Sequence, residues 1–218
     1  MVNNRPEHPT THRVGHLLAL RQLAGMARHL WSSDVNLAAV ELLEPRSGEN
    51  ILDLGAGLGP ATYELARHVG TTGQVFAVDP SRLMRAVLRV RRLTQPNQTS
   101  VSIEAGSGEN LPLPTDSIDA AIALNVMHHL ENLNQTASEL ARVLRPTARL
   151  LLIDEDFGHK DHTFGTASGN QHRGPQFVDP TEMANSLTDA GFIDISHQHT
   201  EIGGEPSFLV AATRRGSE

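Results

Sequence analysis

The sequence predicts an α/β fold: a seven-stranded, mostly parallel sheet with helices on both faces and one antiparallel strand at its C-terminal end. Three observations predict it. From Asn50 onward short apolar runs alternate with segments of helical periodicity, the mark of βαβ units. The five strands so placed are each followed by a helix or a long connection, so they run parallel and are covered on both faces. Only a short turn around Gly203 and Gly204 separates the last two strands, which allows an antiparallel hairpin and forbids a parallel crossover.

The elements follow in order. Residues 1–11 read as a polar arm, and 15–30 as a helix with Leu17, Leu20, Ala24 and Ala27 on one side. Ser32, Ser33 and Asp34 offer N-caps to a second helix over 35–43, which Pro45 ends. Strands are expected over 51–54, 74–78, 101–105, 118–124 and 149–154, with helices over 61–69, 81–93 and 133–144. Pro146 stops the last of these helices. The polar, glycine-bearing stretch 159–175 reads as a long loop, a length that usually carries function or disorder. A helix over 181–190 stops at Gly191, and strands over 193–200 and 207–213 complete the sheet. Residues 1–45 thus form an arm and helical segment outside the sheet domain of 46–218.

Bulk properties narrow the function. The 218 residues suit one core, which aliphatic residues must build because aromatics are 4%. A net charge of −7 disfavours a nucleic-acid partner. The absence of cysteine excludes disulfide and thiolate chemistry. Residues 1–10 lack the apolar run of a signal peptide, and no run reaches the ~20 residues that span a bilayer. The expectation is a soluble, cytoplasmic protein without membrane insertion.

The strongest local signal is Asp53-Leu54-Gly55-Ala56-Gly57-Leu58-Gly59-Pro60, between a strand and a helix. Glycines there let the chain turn sharply and let a ligand approach the backbone. A dinucleotide site asks for G-x-G-x-x-G around a pyrophosphate. Here the spacing is G-x-G-x-G, Pro60 follows, and the Asp53 carboxylate would repel a pyrophosphate. The same carboxylate suits the cationic aminoacyl end of a sulfonium nucleoside, so S-adenosylmethionine is preferred over a nicotinamide cofactor. Asp79 lies twenty residues past Gly59, at the next strand end, where an acceptor for two ribose hydroxyls belongs; a helix-capping role there is compatible.

Together these residues resemble the class I S-adenosylmethionine-dependent methyltransferases, in the branch that holds the ubiquinone and menaquinone C-methyltransferases and many small-molecule methylating enzymes. The glycine turn resembles the first motif of that family, and Val78-Asp79-Pro80-Ser81 the second. Gly106-Ser107-Gly108-Glu109-Asn110-Leu111-Pro112-Leu113-Pro114 resembles the third. Ile118-Asp119-Ala120-Ala121 through Asn125-Val126-Met127-His128-His129-Leu130 resembles the fourth. Glu139-Leu140 through Val143-Leu144-Arg145-Pro146 matches the approach to the fifth strand. The resemblance implies a Rossmann-like fold and a lid made by the N-terminal helices, with Trp31 either lining the acceptor pocket or docking that lid. It also implies cofactor contacts at Asp53, Gly55, Ala56, Gly57, Gly59, Asp79, Pro80, Ser107, Gly108, Glu109 and Asn125. Ser107 departs from the family, which carries an aspartate there to accept from the adenine amino group; a hydroxyl accepts without charge, at roughly half the strength.

The implied reaction is methyl transfer to a small-molecule acceptor, at oxygen, nitrogen or carbon. His128, His129 and Asp154 are the candidate catalytic residues, as base or as acceptor-orienting groups, with cofactor-pocket, capping or solvated roles as the alternatives. Glu155 and Asp156 extend the same acidic turn. His159, His162, His172, His197 and His199 lack zinc spacing, so no metal is expected. The basic segment with Arg82, Arg85, Arg89, Arg91 and Arg92 reads as a solvated face. A homodimer is compatible with the sequence. A dehydrogenase and a cofactor-binding protein without catalysis are the competing functions, the second favoured by Ser107 and by the lack of an unmistakable base.

Overall fold

A computed structural model describes residues 34–156 and 179–216. The expected helix over 15–30 and the loop over 159–175 lie outside those residues. The elements are α1 (Asp34–Leu43), β1 (Asn50–Leu54), α2 (Pro60–Val69), β2 (Gln74–Asp79), α3 (Arg82–Arg92), β3 (Val101–Ala105), β4 (Ile118–Leu124), α4 (Leu133–Val143), β5 (Leu144–Glu155), α5 (Pro180–Asp189), β6 (Phe192–Ile202) and β7 (Glu205–Arg214). One seven-stranded sheet has the order β3-β2-β1-β4-β5-β7-β6, in which only β7 runs antiparallel to its neighbours.

Alternation along the strands divides the core into two layers. Leu52, Leu54, Leu150 and Leu152 face α4 and α5, packing on Leu140, Met183 and Leu187. Ile51, Leu151 and Ile153 face α1, α2 and α3, packing on Val40, Leu65 and Leu88. Aliphatic residues dominate both layers, joined by Phe192 and Phe208 in the first and Tyr63 in the second.

The expected elements form, with shifts at their ends. Helix α2 starts one residue early, because Pro60 takes the first helical position, where a missing N–H costs nothing. Ser81 stands outside α3 as its N-cap, accepting from Met84 N. Strand β5 is longer at both ends than 149–154. Its pairing with β4 jumps from Ile118↔Leu144 to Ala120↔Arg149, so the extra residues bulge around Pro146, with Thr147 at φ 69°.

Two features place the site. The strand order reverses between β1 and β4, which opens a crevice at their C-terminal ends. Gly203 and Gly204, both with positive φ, make the tight β6–β7 turn. A Cβ on Gly203 would lie 2.3 Å from Val35 N, so the hairpin tip sits directly on the start of α1 and sets that helix over the crevice.

Candidate functional site

The turn after β1 is held to β2 by hydrogen bonds from Gly55 N and Ala56 N to the Val78 carbonyl, at 2.8 and 3.2 Å. Gly55 has φ 72°, and a Cβ there would fall 2.2 Å from Val126 Cγ2, so no other residue fits. Gly57 has nothing but Gly55 O, at 3.8 Å, beside its missing Cβ, and its backbone stays approachable.

Two carboxylates brace this bend. Asp79 accepts from Gly57 N at 2.9 Å through one oxygen and from Ser81 N at 2.8 Å through the other, so it joins the bend to the start of α3. Each oxygen keeps a lone pair for a further donor. Asp53 is 3% exposed and accepts from the Thr62 hydroxyl at 2.5 Å. Burial raises its pKa to about 6; the Thr62 hydrogen bond opposes that rise and the nearby Asp79 charge adds to it.

A cavity of about 780 Å³, counting the part open to solvent, lies over the bend. Among the expected residues, Asp53, Gly55, Ala56, Gly57 and Asn125 line it. Gly59 does not, and its Cβ position is blocked by Leu88 Cδ2 at 2.4 Å, so its glycine serves packing. Asn36 and Glu155 also line the cavity. Glu155 had a legible signal: two residues past Ile153, it shares the strand face of Ile51 and Asp53. Asn36 had none, because the setting of α1 depends on the distant hairpin.

Asn125 holds Glu155 in place. It has the left-handed φ of 54°, its Nδ2 donates to Glu155 Oε1 at 3.0 Å, and its Oδ1 accepts from Glu155 N at 3.0 Å. The third segment lies apart from the cavity lining. Ser107 bridges to Asn110, and a Cβ on Gly108 would be 2.9 Å from both Leu130 and Thr136. Burial alone would raise the pKa of Glu109, but hydrogen bonds from its own backbone, the Ser107 hydroxyl, Glu131 N and Asn132 N outweigh it and lower the value. Pro80 is exposed beside Asp79. Glu139 and Arg142 of α4 pair with each other and tie down the backbone at Leu111 and Leu113, which gives that helix a bracing role.

Asp154 is fully buried and points to the sheet face opposite Glu155. It accepts from His128 N at 2.9 Å and faces His128 Nδ1 at 2.8 and 2.9 Å through its two oxygens. His128 sits in the short 3-10 turn after β4, and its side chain is 9% exposed. The His129 ring stacks at a tilt on that of His128, 4.0 Å between centroids. Its pKa is lowered, first by burial and then by His128, with Asp154 opposing. His199 pairs with Asp156 at 3.0 Å. Among the described residues no three His, Asp or Glu side chains converge as a metal site.

Residues 52–152 match the methyltransferase domain family. The chain is 35% identical over 114 residues to the methyltransferase GfsG of Streptomyces halstedii, covering 52% of this chain and 40% of that protein. It is 29% identical over 132 residues to the ubiquinone/menaquinone biosynthesis C-methyltransferase UbiE of Pseudomonas aeruginosa (strain LESB58), covering 61% of this chain and 50% of UbiE. The chain thus spans half or less of the length of these curated relatives. A SAM-dependent methyltransferase from Aquifex aeolicus shares the fold with a TM-score of 0.68 at 23% identity, over 90% of this chain and 97% of that one.

Proposed function

We propose that this chain, whose residues 52–152 form a methyltransferase domain of the class I S-adenosylmethionine-dependent kind, moves a methyl group from S-adenosylmethionine to a small-molecule acceptor. The carrying observation is the bend after β1: open glycine backbone flanked by two buried carboxylates, beside a cavity at the C-terminal ends of β1 and β4.

The residues present fit that cofactor. Asp53 pays for its burial with a raised pKa, and a ligand cation beside it would draw the value down and relieve the cost. A pyrophosphate in its place would be repelled. Gly55, Ala56, Gly57 and Gly59 shape the backbone for the aminoacyl tail. Asp79, next to Pro80, offers one lone pair per oxygen to the ribose hydroxyls. Ser107, Gly108 and Glu109, which lie outside the cavity lining, are assigned to the adenine end on the resemblance of their segment to the family's third motif, with Glu109 bracing the loop. Asn125 closes the side next to the acceptor and presents Glu155 there. When bound, the cofactor supplies a methyl group on sulfonium sulfur, an activated electrophile that asks mainly for alignment and exclusion of water.

His128 takes the acceptor's proton where the acceptor carries one, and Asp154 fixes its ring by holding Nδ1. Burial and the adjacent His128 lower the pKa of its neighbour His129, which favours the neutral ring there. Asp154 touches no reacting atom and is a positioning residue. The net charge of −7 favours a small molecule over a nucleic acid as acceptor. The compartment proposed is the cytoplasm.

Labelled S-adenosylmethionine incubated with the protein and a metabolite extract tests the reading. Label should pass into the small-molecule fraction, and His128→Ala should lower its rate by ~100-fold or more. No transfer by the wild-type protein would contradict it.

A further inference from the structure

We infer that the outward face of α3 is a docking surface for an anionic lipid bilayer. Leu83, Val90 and Leu93 are 66%, 69% and 71% exposed, and Ala86 lies open between them. With half-buried Val87 these positions recur every three or four residues, so they form one stripe along the helix. The opposite face is anchored by fully buried Leu88 and by Arg85, whose Nη1 donates to the Asp79 carbonyl. Ala86, Val87, Val90, Arg91 and Thr94 line a shallow hollow on the outward side.

Charge selects the occupant. Helix α3 holds five arginines and no acid, in a chain whose net charge is −7; Arg85, Arg91 and Arg92 donate to the carbonyls of Asp79, Leu58 and Val101, while Arg82 and Arg89 are exposed. Arg82 and Arg89, seven residues apart and both exposed, flank the apolar stripe on one side. Arg91 flanks it on the other, its Nη1 on the Leu58 carbonyl and its guanidinium 5.3 Å from the Tyr63 ring centroid. An apolar stripe edged by the exposed Arg82 and Arg89 suits the boundary of an anionic membrane: the aliphatic groups enter the acyl edge, and those two guanidinium groups bind headgroup phosphates. A second copy of the chain, docked about a twofold axis, would bring arginine rims against arginine rims. Residues 1–33 carry four arginines against the single acid Glu7, so that segment lacks the complementary charge. The stripe is short, so binding is peripheral, reversible and salt-sensitive.

Flotation of the full chain with phosphatidylcholine vesicles, with and without about 30 mol% phosphatidylglycerol, tests the inference. The wild-type protein should float with the anionic vesicles and not with the neutral ones, and raised salt should release it. V90D/L93D and R82Q/R89Q should each lower the bound fraction by roughly fivefold or more. Both pairs are exposed, so melting temperature and affinity for S-adenosylhomocysteine should stay at wild-type values; this readout keeps membrane docking separate from the methyltransferase reading. Three results would overturn it: flotation indifferent to lipid charge, doubly substituted proteins that float like wild type, or no flotation at all. A lipid-free dimer that V90D/L93D dissolves would assign the face to a second copy and reject the bilayer.

Discussion

Asp53 and Asp154 occupy matching places, one at the end of β1 and the other at the end of β5, and both are almost sealed from solvent at 3% and 0% exposure. Their partners differ. Asp53 is met by a neutral hydroxyl nine residues away, so its charge stays uncompensated and burial drives its pKa to about 6. Asp154 is met by the ring and backbone of His128, 26 residues away, so its partner is already in place. A buried carboxylate with only a hydroxyl partner is poised for an incoming cation. One that grips an imidazole is built to orient it.

That contrast can be broken first at Asp154. Asp154→Asn keeps the shape but favours the wrong ring tautomer, and should lower the turnover rate by about 10²–10³-fold while the dissociation constant for S-adenosylhomocysteine moves less than about threefold. A rate ratio constant across pH would point to a structural role. A loss that varies with pH would tie the substitution to proton transfer in the reaction.

Asp53 should respond with opposite signs in stability and binding. Its folded pKa lies above its ordinary 3.8, so its contribution favours the fold at low pH and is lost as pH rises through about 6. Above that range the ionised group costs about 3 kcal/mol. Asp53→Asn should therefore stabilise the cofactor-free protein by up to about 3 kcal/mol at pH 8 and by little at pH 4, in thermal melts at both values. The same substitution should weaken binding of S-adenosylmethionine by about 10-fold or more at pH 8. Wild-type affinity should itself fall as pH drops below 6.

Gly203→Ala probes how the hairpin positions α1. With φ 58° and a Cβ 2.3 Å from Val35 N, it should destabilise the fold by about 2 kcal/mol and weaken cofactor binding several-fold through displaced Asn36. The smallest effect is expected at Glu109, whose carboxylate is occupied by loop N–H groups. Glu109→Ala should cost about 1 kcal/mol in a melt and leave cofactor affinity within about threefold.

The same contrast separates what the sequence made readable from what it did not. The features around Asp53 are local: a glycine turn, a carboxylate before it and another at the next strand end are all visible in a linear reading. The hairpin was legible too, because Gly203-Gly204 leaves room for nothing else. Insertion of β7 between β5 and β6 was not, since strand order is settled by tertiary pairing and not by the turn. The bulge around Pro146 hid the true length of β5. Asp154 and Glu155 were legible as an acidic turn, yet their division between opposite faces needed the register of β5. The His128–Asp154 pair depends on β4 lying beside β5, and Asn36 enters the site only because the hairpin tip seats α1.

The central claim is that the bend after β1, braced by Asp79, holds a sulfonium nucleoside. Isothermal titration of the purified chain with S-adenosylhomocysteine tests it most directly. One-to-one binding that Asp79→Ala weakens by about 100-fold, with the fold intact, is the expected result. No heat of binding from the wild-type protein, or equal affinity in the two proteins, would contradict the account.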